Sequence, residues 1–157
     1  MNLTSTAFAH GEQIPTRHTC DGDGTLPPLE ISGVPPRTRS LALIVDDLDA
    51  FDGAANFLHW AAWNVHPHTT LIRSGKPLPG AVEGRTSFGT YRWGAPCPPS
   101  GEHRYRFRLF ALTKELQLDR DSNAEDLEEE MAGHVIDESE LVGTYRRDGG
   151  AGWRRKA

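Results

Sequence analysis

Residues Leu41 to Val45 form an unbroken apolar run that ends in Asp46, Asp47 and Asp49, the pattern of a short buried strand followed by an acidic loop. Farther along, Phe57, His59, Ala61, Trp63 and Val65 share one face of an extended segment, with Leu58, Trp60, Ala62 and Asn64 on the other. Both faces are mostly apolar, which predicts a central strand. The cleanest alternation lies at 104–109, where Arg104, Arg106 and Arg108 interleave with Tyr105, Phe107 and Leu109, so that the arginines face water and their neighbours the core. By the same parity His103 enters on the core side with Tyr105, about 7 Å along the strand. Between these segments Pro77, Pro79, Pro96, Pro98 and Pro99, with six glycines, predict one long ordered loop. Near the C-terminus Ser122 and Glu125 form a Ser-x-x-Glu capping box ahead of Leu127, Met131 and Val135, which predicts one amphipathic helix with Glu128 to Glu130 on its solvated side. Leu141 to Tyr145 reads as a final strand and Trp153 to Lys156 as part of a short basic tail, 147–157.

Composition narrows the class. The 157 residues include 16 glycines and 11 prolines but an ordinary 25% of charged residues, so the excess is in turns, not in disorder. No repeat, low-complexity tract or linker divides the chain, and a single domain over 1–157 is the expectation. A net charge of −5 argues against the broad cationic surface that nucleic acid needs. The longest stretch free of charged residues, 53–72, contains Asn56, His59, Asn64, His66 and His68 and is too polar for a bilayer span. No export signal is read at the start, where Met1 to Phe8 is polar and His10, Glu12 and Arg17 follow. Cys20 and Cys97 have neither Cys-x-x-Cys nor zinc-ligand spacing. The expectation is therefore a soluble cytoplasmic protein with reduced thiols, no disulfide framework, no structural zinc and no cofactor.

The cluster Asp46, Asp47, Asp49 and Asp52 fails as a calcium loop. Counted from Asp47, an EF-hand needs an oxygen ligand, a glycine and a glutamate where Phe51, Asp52 and Leu58 stand. No Walker loop, dinucleotide fingerprint or Gly-x-Ser-x-Gly elbow is present. What remains is Asp47, Asp49, His59, His103 and Tyr105 at or just inside strand ends. Taken singly, each has an ordinary structural reading: a core histidine bonded to backbone, a buried tyrosine, a loop-capping carboxylate.

Taken together they resemble a family. The stretch Gly94 to Tyr105, G-A-P-C-P-P-S-G-E-H-R-Y, is similar to the signature of the phosphatidylethanolamine-binding proteins, in their bacterial, Raf-kinase-inhibitor-like branch. Cys20-Asp21-Gly22, Pro27-Pro28-Leu29, Ser32-Gly33-Val34-Pro35, the acidic 46–50 segment, His59-Trp60, Asn64, Leu78-Pro79 and 133–145 follow in the family's order, so the resemblance covers about 8–146. It implies a mainly β fold: an antiparallel sandwich of a large central sheet and a smaller one, with one or two short helices near the C-terminus. It also implies a small pocket for phosphate-type or phosphoethanolamine-like anions, in which Asp47 and Asp49 match the family's D-P-D-A-P carboxylates, His59 its pocket histidine, and His103 and Tyr105 its H-R-Y pair. Pro96 and Cys97 match the pocket-lining turn, with backbone contacts expected there and no nucleophilic chemistry from the thiol.

The chain also departs from the pattern. Leu48 and Phe51 replace both prolines of D-P-D-A-P, and Gly24, Leu26 and Trp93 are unusual for the family. Ala95 replaces a usual glycine, at a cost of about 1 kcal/mol if that position needs positive φ. The resemblance favours a non-catalytic binding protein, allows modulation of a kinase or protease partner, and makes a homodimer plausible. The alternative is a hydrolase in which Asp47 and His59 activate water or hold a metal.

Overall fold

The computed structural model describes residues 1–147; the predicted basic tail lies outside the described residues, apart from Arg147. The small sheet holds β1 (Asn2–Thr4), β2 (Leu29–Ser32) and β5 (Leu71–Ile72) in the order β1-β2-β5. The large sheet holds β3 (Ser40–Asp52), β4 (Ala55–Val65), β6 (Val82–Glu83), β7 (Gly101–Leu112) and β8 (Val135–Arg147) in the order β6-β4-β3-β7-β8. All named strand pairs are antiparallel. One face of the large sheet packs on the small sheet, joining Val45, Phe107 and Leu109 to Leu29, Ile31 and Ile72. Helix α1 (Ala124–Met131) covers part of the other face, where Ala42, Ile44 and Phe110 meet Leu116, Leu127 and Met131. The family-like sandwich with one short helix is therefore present.

Several local expectations change. The middle of the large sheet is β3, not β4, and β3 runs on through Asp52 where an acidic loop was expected. Leu48 and Phe51 allow this, because leucine and phenylalanine keep the N–H that a proline lacks, and Phe51 pairs with Asn56 across a two-residue turn that begins at Gly53, φ 67°. Three of the strand's carboxylates are bonded by side chains of β7: Arg106 bonds Asp46 at 2.8 Å, His103 bonds Asp47 at 2.7 Å and Arg104 bonds Asp49 at 2.9 Å.

Strand β4 does not alternate simply. Val45 and Asp46 of β3 face Trp60 and Leu58, which leaves His59 as an extra residue, and a second irregularity lies between Ala62 and Val65, where Asn64 takes φ 56°. Two bulges thus put Trp60, Ala62 and Val65 on the face toward the small sheet and Leu58, Ala61 and Trp63 on the helix side. The parity of β7 holds, but its arginines do not simply face water. Arg106 pairs with Asp46, while Arg108 pairs with Glu128 of α1 at 3.1 Å and lies over the Phe110 ring.

The capping box of α1 is Asn123 with Asp126, one residue beyond the Ser122 and Glu125 pair. Asn123 Oδ1 accepts from Asp126 N at 2.8 Å and Asp126 Oδ2 from Asn123 N at 3.1 Å. Asparagine and serine cap about equally well, so the sequence holds two competing registers. The helix stops before Gly133, φ 80°, and Val135 begins β8 instead of extending the apolar stripe. The predicted long loop between β4 and β7 contains only the two-residue strands β5 and β6, and the predicted final strand is the C-terminal half of the 13-residue β8.

Candidate functional site

Strand β7 carries His103 and Tyr105 on one face, their ring centroids 6.5 Å apart, and pairs Tyr105 opposite Asp47 of β3. Asp47 in turn pairs with Phe57 of β4. The bulge at His59 turns that imidazole onto the same side, with its ring edge against Tyr105 at 5.2 Å. A loop closes the far wall. Ser87 N and Gly94 N donate to the Leu58 and His59 carbonyls at 3.0 and 2.9 Å, which ties the 87–94 segment to β4. This places the Phe88 ring edge-on to both Phe57 and His59. The ring lies close over Gly94, where a Cβ would fall 2.2 Å from it, so a larger residue there would displace Phe88. The result is a cavity of about 150 Å³ lined by Asp47, His59, Cys97, His103 and Tyr105 together with Ala50, Phe57, Phe88, Pro98 and Pro99.

Five of the seven sequence-predicted residues therefore meet, and two do not. Asp49 is turned to Arg104, whose side chain and backbone N–H donate to it at 2.8 to 3.0 Å, and those bonds hold its carboxyl below the usual carboxylate range. Pro96 is buried outside the lining, and its carbonyl accepts from Cys20 N at 3.0 Å. Of the residues that sequence reasoning missed, Pro98 and Pro99 lie inside the quoted loop motif and Phe57 two positions before His59. Phe88 carries no sequence signal.

Hydrogen bonds fix the chemistry of each ring. Asp47 is 3% exposed, and both of its oxygens are used: Oδ1 accepts from Asp49 N at 2.8 Å and Oδ2 from His103 Nδ1 at 2.7 Å. A carboxylate only accepts, so the His103 proton sits on Nδ1 and Nε2 is the ring's free nitrogen. His59 Nδ1 donates to the Gly94 carbonyl at 2.7 Å, and burial pushes its pKa below the ordinary imidazole value, which leaves a neutral ring whose Nε2 is an acceptor. Tyr105 is fully buried and its hydroxyl, though near enough to Asp47 to feel that carboxylate, makes no hydrogen bond of normal geometry. Burial first, and then the charge of Asp47, pushes that phenol well above its usual range, so it remains a neutral donor. The hydrolase alternative needed Asp47 on His59; the carboxylate bonds His103 instead. Among the described residues no three His, Cys, Asp or Glu side chains are grouped as a metal site requires.

The reduced thiols expected from the sequence are replaced by a disulfide between Cys20 and Cys97, with Cα atoms 5.3 Å apart. Spacing gave no hint of it, because the pair is 77 residues apart and meets only when the two Pro/Gly-rich loops dock. Trp93 Nε1 donates to the Gly24 carbonyl at 3.0 Å across the same junction, and Tyr145 Oη donates to Asp21 at 2.6 Å. Two of the unusual residues, Gly24 and Trp93, thus satisfy each other. Ala95 carries none of the expected strain, because Asn64 is the only non-glycine residue with positive φ among those described. No helix among the described residues is long and apolar enough to cross a membrane.

The sequence profile described as phosphatidylethanolamine-binding protein matches residues 4–146. A UPF0098 protein of Methanothermobacter thermautotrophicus is 45% identical over 152 residues, covering 94% of this chain and 99% of its own. Another, from Pyrococcus horikoshii, is 42% identical over 91% of this chain and 75% of its own. Among solved structures, a phosphatidylethanolamine-binding protein homolog of Chlamydia trachomatis superimposes with a TM-score of 0.88 at 38% identity, covering 94% of this chain and 97% of that one. Escherichia coli YbcL gives 0.85 at 31% identity, covering 94% and 98%.

Proposed function

The chain belongs to the phosphatidylethanolamine-binding protein family, and from that premise we propose that its 150 Å³ cavity is a non-catalytic receptor for a small phosphate-type anion. The observation that carries this reading is the Tyr105 hydroxyl, buried without a hydrogen bond of normal geometry in a wall that also holds the free nitrogens of two oriented histidines. A buried donor left unpaired costs about 1–3 kcal/mol, and a ligand oxygen recovers it. A protonated phosphate fits the set. Its hydroxyl donates to His59 Nε2, while its anionic oxygens accept from Tyr105 and from the Nε2–H of protonated His103. Asp47 orients His103 and balances its charge. Asp47 is buried and already held by His103, which competes with a ligand ammonium, so the cavity takes the phosphate end of a head group.

Ligand binding then favours proton uptake, and affinity falls as pH rises. Titration with inorganic phosphate, and separately with O-phosphoethanolamine, at pH 5.5, 7.0 and 8.5 reads this directly. Saturable binding that weakens across the series is expected, with Tyr105→Phe and His103→Ala each weakening it by about 10-fold or more, the equivalent of one lost charge-assisted bond. Affinity that is constant over that range, or indifferent to both substitutions, would refute the proposal.

A further inference from the structure

A second, larger cavity of about 400 Å³ opens where the edges of the two sheets diverge, between Ile72 of β5 and Glu83 of β6. This is within the usual range of small-molecule sites. Its apolar floor includes Leu26, Ile72, Leu78 and Trp93. Trp93 is held by stacking on Phe107 and by its indole N–H bond to Gly24. Three cations, Arg73, Lys76 and Arg92, stand on the lining, and none reaches a carboxylate among the described residues. The three arginines of β7, in contrast, each close on one. Glu83 is the one opposing charge on the lining, and its Oε1 accepts from Trp60 Nε1 at 2.8 Å. A chain of net charge −5 thus concentrates positive charge around an apolar hollow.

We infer that this cleft is a binding site for an amphipathic anion, an apolar body carrying one carboxylate or phosphate. The floor takes the apolar body, and the cations compete with water for the head. Burial of the body supplies the hydrophobic part of the affinity, and the cations make head-group binding sensitive to salt. The site shares no lining residue with the phosphate cavity, so the two readings stand or fall separately.

The probe is 8-anilinonaphthalene-1-sulfonate, followed by fluorescence and by the Trp93 indole N–H resonance, with octanoate, octyl phosphate, octanol and octylamine as competitors below their micellar concentrations. Saturable binding that shifts the Trp93 resonance is expected, displaced by octanoate or octyl phosphate and at least 10-fold less well by octanol and octylamine. Whichever anion displaces more strongly identifies the head group. Lys76→Gln with Arg92→Gln should weaken the probe at least 10-fold at an unchanged thermal midpoint, whereas Tyr105→Phe should leave it unaltered. Absence of saturable binding, equal displacement by octylamine, indifference to the double substitution or loss in Tyr105→Phe would overturn the inference.

Discussion

Asn64 holds a left-handed backbone, φ 56°, and its side chain clasps one residue of the segment that leads to α1. Nδ2 donates to the Leu116 carbonyl at 3.0 Å, and Oδ1 accepts from Leu116 N at 2.7 Å. Asparagine tolerates that conformation better than most residues. Asn64→Ala is expected to lose about 2–3 kcal/mol in urea unfolding, and Asn64→Gly about 1 kcal/mol less, because glycine relieves the backbone but not the lost bonds. Equal losses would show that the backbone is not under constraint. His59 and His18 set a pH limit. Burial lowers both pKa values; at His18 it outweighs the opposing bond from Nδ1–H to the Thr25 carbonyl, and the Arg17 guanidinium, which donates from Nε to the ring's Nε2, adds to the lowering. The unfolded chain takes up their protons near the ordinary value of about 6.5, before the folded chain does. Stability is therefore full above about pH 6.5 and falls on acidification, by up to about 1.4 kcal/mol per pH unit for each proton. Urea midpoints in phosphate-free buffer should be lower at pH 5.5 than at 7.5, and both ring resonances should titrate below 6.5; a His59 ring titrating above it would contradict this.

Elements whose neighbours reinforce their pattern were legible from the sequence, and elements shaped by one displaced residue were not. The arginine alternation of β7 located His103 and Tyr105 on one face because that strand pairs with β8 without a shift over 101–111. Strand β4 has the same kind of pattern, yet its bulges at His59 and Asn64 exchange the faces of Trp60 and Ala62 with those of Ala61 and Trp63. A period of two carries no mark of an inserted residue. The cap of α1 failed for another reason, since Ser122-x-x-Glu125 and Asn123-x-x-Asp126 are near-equivalent in energy and only the pairing of Asn123 with Asp126 distinguishes them. Asn123→Ala is expected to cost about 1 kcal/mol and Ser122→Ala less than about 0.5 kcal/mol, by thermal or urea unfolding; the reverse order would restore the Ser122 register.

At the scale of the molecule, the sandwich and the meeting of Asp47, His59, His103 and Tyr105 followed from ordered motifs, whereas the contact between the loops at 19–24 and 93–97 did not. That contact has two direct bonds besides the disulfide, Cys20 N to the Pro96 carbonyl and Trp93 to Gly24, and Arg147 of β8 braces it by meeting Asp21 at 3.3 Å and Cys97 Sγ at 3.2 Å. Cys97, Pro98 and Pro99 form the cavity wall that the disulfide anchors, so one crosslink serves both stability and the site. Closing a loop of 77 residues removes chain entropy from the unfolded state worth up to about 4 kcal/mol. Because the flanking bonds survive, Cys20→Ser with Cys97→Ser should keep the fold and unfold about 10 °C lower, at about 2–4 °C per kcal/mol for a chain of this size. Wild-type protein in a strong thiol reductant should show the same shift, and the double variant should show no further change when reduced. The freed 97–99 wall should also weaken inorganic phosphate at pH 5.5 while His59 still titrates below 6.5, since its Gly94 bond lies on the other side of the loop from Cys97. An unchanged midpoint in the double variant would show that the two loops dock without needing the crosslink.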